Sequence, residues 1–282
     1  MKPFACLAGL VLAAGMASAA DMPGGLVLRF SCDELRNNGT LLPDASGSNN
    51  HGRVTGGVRP ATGRLNGCCE FIARGGGFVQ VPSSPSLENE HMTVCFWLRL
   101  GKIEAPDRTL VERQTEDAGY ALQLVTGGED NRKGLLQATV GAGKHFVSDE
   151  PITDNDWHHI ALSYDGKTAK LYVDSVLQTQ LMTLRGGDLS VNAKDADLLF
   201  GMSGAQVAAR SREGAFEGML DEILVFNRAL TSTEVKDALT VSKPQFTKWQ
   251  VERRLKELKE LRDRNLITQE FYERKVKECE VD

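Results

Sequence analysis

His158 and His159 are the pair that first suggests metal or acid–base chemistry. Adjacent side chains on a strand point to opposite faces, so two neighbours cannot readily share one metal ion. We therefore read them as scaffold. Trp97 and Trp157 carry indole rings of the kind that stack on sugars. Both stand inside strand-like runs, where core or sheet-face packing is the expectation. Carboxylates occur in pairs, such as Glu129/Asp130 and Asp149/Glu150. Glycoside hydrolysis needs two carboxylates facing one bond, and the sequence marks no such pair. A Gly-x-Ser-x-Gly elbow and a phosphate-cradling Gly/Lys loop are both missing. No CxxC or Cys/His spacing suggests zinc. We assign no catalytic residue.

The elements that must position these residues read as strands and turns over about 24–240. Leu26, Leu28, Phe30 and Cys32 alternate with Val27, Arg29 and Ser31, as in a half-buried strand. Further strands are expected at 78–81, 93–98, 120–125, 135–140, 160–164, 169–173, 198–201 and 220–226. Asp165-Gly166 between two of these runs predicts a hairpin, because that turn needs positive φ. Many short strands separated by turn residues mean an all-β sandwich or barrel. A net charge of -5 and no visible basic face argue against nucleic-acid binding.

Residues 1–20 read as a signal peptide, with Lys2, an apolar run from Phe4 to Ala14, and small residues at 17–20. That run is too short to span a bilayer, and no other segment is a transmembrane candidate. Export to the periplasm, cell surface or medium is the expectation, and it makes disulfides possible. The mature chain keeps Cys32, Cys68, Cys69, Cys95 and Cys279, an odd number, and spacing cannot choose a connectivity. Residues 244–282 form a separate tail. Residues 249–282 hold nine Lys/Arg and nine Asp/Glu. Leu255, Leu258 and Leu261 recur at helical spacing, Asn265 can end that helix, and Thr268 is a good N-cap for a second. Phe271, Tyr272, Val276 and Cys279 supply the second helix's apolar side.

Several stretches resemble the laminin-G-like (concanavalin A-like) jelly-roll family. They are Gly67-Cys68-Cys69-Glu70-Phe71 through Pro82, Thr93-Val94-Cys95-Phe96-Trp97, Trp157 to Gly166 with Leu171-Tyr172-Val173-Asp174, and Phe216 to Thr231. The loop Asp44 to Gly52 resembles an early loop of the same family. Ser175 departs from the pattern, which has glycine after Asp174. The tail, over Leu255 to Phe271, resembles short C-terminal (SHOCT-like) domains. The jelly-roll resemblance implies an antiparallel two-sheet sandwich at 21–243, with its first and last strands side by side. That arrangement would bring Asp33 near Asp221, with Asp44 and Asn49 at the same rim. Hard oxygen ligands of this kind suit a structural Ca²⁺. It also implies a non-catalytic recognition module for carbohydrate or a protein partner. Its ligand would sit on a sheet face or on the loops at 101–119, 127–134 and 201–214. The tail would promote homo-oligomers. A polysaccharide hydrolase and a purely structural envelope protein are the alternatives.

Overall fold

The structure, a computed structural model, describes residues 22–101, 107–127, 132–182, 189–241, 248–264, 266–269, 272–273 and 276. The segment expected to be a signal peptide, Asn265, Phe271 and Cys279 lie outside the described residues. Two compact units result, one covering Met22–Thr240 and the other including the tail from Val241.

The first unit is an antiparallel sandwich. In chain order its strands are β1 Leu26–Phe30, β2 Leu41–Leu42, β3 Gly52–Thr55, β4 Val58–Thr62, β5 Gly67–Phe71, β6 Phe78–Val81, β7 Met92–Leu100 and β8 Arg108–Gln114. They continue as β9 Gly119–Leu124, β10 Leu136–Val140, β11 Lys144–Val147, β12 Trp157–Tyr164, β13 Thr168–Val173, β14 Val176–Met182, β15 Leu198–Phe200 and β16 Gly218–Phe226. One sheet runs β14-β13-β12-β7-β16-β5-β4, with β1 also on β16. The other runs β11-β10-β9-β8-β15-β6-β3-β2.

The expected pairing of the chain's first and last strands is present. Leu26 faces Phe226 and Phe30 faces Ile223, antiparallel. Alternation builds the core from both sheets. Met92, Val94, Phe96, Leu98 and Leu100 of β7 point inward with Ile160, Leu162 and Tyr164 of β12. Phe30 meets Phe200 edge-on at 6.2 Å, bridging the sheets.

The sequence reading missed several elements. Region 101–119, expected to be a ligand loop, contains β8, whose Leu110 and Val111 are fully buried. Region 201–214 contains helix α1 Gly204–Ala209, closed by a capping box between Ser203 and Gln206. Helix α2 Ser232–Val241 begins at a second box, where Thr231 and Glu234 exchange hydrogen bonds. The four sandwich cysteines are buried free thiols. Cys32 has a raised pKa through its hydrogen bond with Cys69 and through burial. Burial pushes Cys68 and Cys95 up to about 12.

The Asp165-Gly166 hairpin forms as expected. Gly166 takes φ +87°, and the Asp165 carboxylate accepts from the Lys167 and Thr168 amides. The β13–β14 turn shows what the departure at Ser175 costs. Asp174 and Ser175 both hold positive φ, 51° and 66°, as in the two-residue turn that favours glycine second. The Ser175 hydroxyl is also buried without a partner. In the tail, helix α3 Lys248–Asp263 carries the three predicted leucines. Helical backbone resumes after Thr268, whose carbonyl accepts from Tyr272 N at 3.0 Å.

Ser175→Gly should stabilise the sandwich by about 1 kcal/mol, because a side chain in the left-handed region costs roughly that much. Urea unfolding of both proteins measures it. An unchanged or lower midpoint would contradict a strained turn.

Candidate ligand-binding groove

Strand registers align side chains into rows across the outer face of the first sheet. In the first row Arg59 faces Glu70, Glu70 faces Met219, Met219 faces Arg99, and Arg99 faces Trp157. Five strands contribute, β4, β5, β16, β7 and β12. All five residues alternate with core positions, so they share the outward face. Strand spacing makes the row about 19 Å long.

The second row is Cys68, Asp221, Trp97 and His159. A turn at 63–66 closes over it. Gly63 and Gly67 make that turn possible: a Cβ on Gly63 would sit 2.0 Å from the Gly67 carbonyl oxygen, and one on Gly67 2.8 Å from Asp33 Cα. The Arg64 guanidinium lies 4.9 Å over the Trp97 ring, and His159 meets that ring edge-on at 5.5 Å. The third and fourth rows include Cys95, Ala161, Thr93 and Ser163. They lie beneath residues 228–232 and α2. Thr93 Oγ1 donates to the Arg228 carbonyl and accepts from Leu230 N, while Tyr172 and Ser232 hydroxyls are 3.2 Å apart.

The first row is left open, covered neither by that turn nor by residues 228–232. Four of its residues, Arg59, Glu70, Met219 and Arg99, line a trough of about 800 Å³ with Arg74, Asn155 and Glu217 at its margins, and Trp157 is next to Arg99 in the row, beyond that lining. Arg59 Nε donates to Glu70 at 2.7 Å. Arg99 Nε donates to the Asn155 carbonyl at 2.8 Å, which holds its guanidinium in place. Trp157 is half-buried. An indole face, a thioether, two oriented guanidiniums and a carboxylate can stack on rings and bond hydroxyl groups.

The predicted site residues separate. Trp97 is only 4% exposed and its Nε1 has no partner, so it is no stacking platform; Trp157 keeps that chemistry. His159 is buried and neutral, its pKa pushed down to about 4 by desolvation. His158 sits on the opposite face, as alternation requires, with Nδ1 2.8 Å from Asp174 and Nε2 2.9 Å from Asp154. Those carboxylates push it up to about 9, so it is a cationic clasp at neutral pH.

The proposed calcium ligands do not converge. Asp44 receives the amides of Arg29, Ser46 and Asn50 and the Ser46 hydroxyl, so its own loop fills its carboxylate. Asn49 is exposed at φ +60°, and the neighbouring Asn50 is the buried one, donating to the Val27 carbonyl at 2.7 Å. Asp33 and Asp221 do approach each other, as expected, but with Glu222 as the third member. Asp33 accepts from Gly67 N, and Asp221 from the Leu65 and Glu222 amides. Asp221 is raised well above the usual carboxylate range, chiefly by burial. Glu222 is pushed up to about 7 by burial, against the pull of Arg29 at 3.5 Å. Among the described residues no three His, Cys, Asp or Glu side chains form a metal-binding group. Calcium takes about six to eight oxygen ligands. The four named residues do not fit it as one set.

Residues 73–236 match the family described as the concanavalin A-like lectin/glucanases superfamily, well over half of the chain, and the protein belongs to it. Solved structures share the fold. One is domain 4 of AbnA, an extracellular arabinanase from Geobacillus stearothermophilus, in complex with arabinotriose. It is 19% identical, with a TM-score of 0.57 over 76% of this chain and 97% of that one. The binding domain of Paraclostridial Mosquitocidal Protein 1 is also 19% identical, with a TM-score of 0.58 over 78% of this chain. The binding domain of botulinum neurotoxin DC, solved with rat synaptotagmin II, is 13% identical, with a TM-score of 0.57 over 79% of this chain. The chain spans about half the length of each toxin structure, 52% in both cases. No curated protein is a significant sequence relative.

The His158 clasp has a definite pH signature. Its folded pKa lies above the unfolded value, so its stabilisation is full below about 6.5 and fades as pH rises through about 9. His158→Asn should lower the melting temperature at pH 6 and have much less effect at pH 10. A pH-independent deficit would refute the charged clasp.

Proposed function

We propose that this protein is an exported, non-catalytic carbohydrate-recognition module and that the trough along Arg59, Glu70, Met219 and Arg99, together with Trp157 next in the row, is its binding face. The observation that carries the reading is this row. Neither the 63–66 turn nor residues 228–232 cover it, and it carries groups that stack and hydrogen-bond. Fold alone is a weak warrant for function. The superfamily and the arabinotriose complex of AbnA domain 4 support the reading without naming the sugar. Glu70 and Glu217 are the groove's carboxylates, and Glu70 is already spent on Arg59. That favours binding over hydrolysis.

A glycan array run beside a reducing-sugar assay tests this. Retention of a glycan without turnover is expected. Trp157→Ala and Arg99→Ala should each weaken that retention by roughly tenfold or more, as for central aromatic and arginine anchors. Turnover, or full binding by both variants, would refute it.

The helical tail, with its SHOCT-like pattern, is proposed to cluster copies. Its α3 carries Leu255, Leu258 and Leu261 at helical spacing, an apolar stripe that favours a packing partner. Deleting 249–282 should lower the mass measured by light scattering and leave the sandwich's melting transition in place. An unchanged mass would count against clustering.

A further inference from the structure

We propose that the groove selects saccharides that bear carboxylate groups, an inference that rests on the recognition reading above. The lining holds three guanidiniums, Arg59, Arg74 and Arg99, against two carboxylates, Glu70 and Glu217. Arg59 and Glu70 neutralise each other at 2.7 Å. That leaves Arg74 and Arg99 facing Glu217 alone, a local positive excess on a chain of net charge -5. Such a reversal of sign concentrates anions at one place on the surface.

Arg99 is built for the task. Its Nε is fixed on the Asn155 carbonyl. Among the described residues no protein group pairs with its terminal amino groups or makes an ion pair with Arg74. A guanidinium held at one edge offers the other as a two-pronged donor to a planar carboxylate. Arg212 adds a further cation at this margin, its Nη1 donating to the Arg74 carbonyl at 2.9 Å. In register beside Arg99 lie Met219 and Trp157, which supply the apolar contact that a sugar ring needs. Arg99 therefore stands between two apolar side chains on one line. An acidic polysaccharide presents charge beside ring surface in the same way, whereas a free inorganic anion would use only the charge.

Affinity electrophoresis of the full chain tests this with three acidic polymers: polygalacturonate, alginate and polysialic acid. Methyl-esterified polygalacturonate, neutral galactan and neutral arabinan serve as controls, with inorganic phosphate as competitor. At least one acidic polymer should retard the protein, less so as salt rises. Its neutral counterparts should bind at least tenfold more weakly, and millimolar phosphate should not displace it. Arg99→Gln and Arg74→Gln should each abolish most of that preference while leaving the circular dichroism spectrum and melting temperature unchanged. Equal retention by acidic and neutral polymers, or a preference untouched by both variants, overturns the inference and leaves the recognition reading standing. Displacement by phosphate alone likewise overturns it. Retardation by neither class overturns both.

Discussion

Strand β16 is hydrogen-bonded to β7 along one side, and on its other side first to β5 and then to β1. The register slips between Asp221 and Leu224, where the neighbour changes. Glu222 takes φ +44° at that point. A bulge here lets one strand serve two partners, β5 and β1, along successive parts of its length. It also buries Asp221 and Glu222, whose raised pKa values express the cost of burying carboxyls with little compensation. The backbone amides of Leu65 and Glu222, and Arg29, are what make that burial tolerable.

The same strand fixes the row proposed as the binding face. Because β16 lies between β5 and β7, Met219 joins Glu70 to Arg99 and the row becomes continuous. A shift of one residue would turn Met219 inward and send Leu220 out. Three coverings then divide the outer face. The 63–66 turn seals Trp97 and His159, α2 and residues 228–232 seal the far end, and the first row is left to solvent. Buried polar atoms remain under the turn, namely Trp97 Nε1, His159 Nδ1 and Arg64 Nη1. Each costs about 1–3 kcal/mol unless water reaches it. The arginine over the indole offsets part of this.

The groups that hold the fold are thus distinct from those of the proposed binding row. The His158 clasp, the Asp44 loop and the capped turns hold the frame. The groove's arginines lie at exposed or half-exposed positions, where their replacement leaves the core untouched. The rim carboxylates expected to bind a metal serve instead as internal acceptors for backbone amides, which makes them part of the frame.

Much was already present in the residue order. Alternation placed β1, β6, β7, β12, β13 and β16, Asp165-Gly166 placed the clearest turn, and the resemblance paired the first strand with the last. It also brought Asp33 to Asp221. Local pattern failed where the decision was made at a distance. Strand β8 lies in a stretch expected to be a ligand loop, yet β15 and β9 pair with it on either side and Leu110 and Val111 are fully buried. Asn49 and Asn50 are chemically identical, and only the reach to Val27 and Ser86 selects Asn50. Trp97 and Trp157 sit in equivalent alternating positions, and sequence cannot rank them. The 63–66 turn lies some 30 residues upstream of Trp97 and covers it, leaving Trp157 open. Periodicity fixes which side chains share a face; which part of that face meets solvent depends on segments remote in the chain, and only tertiary packing decides it.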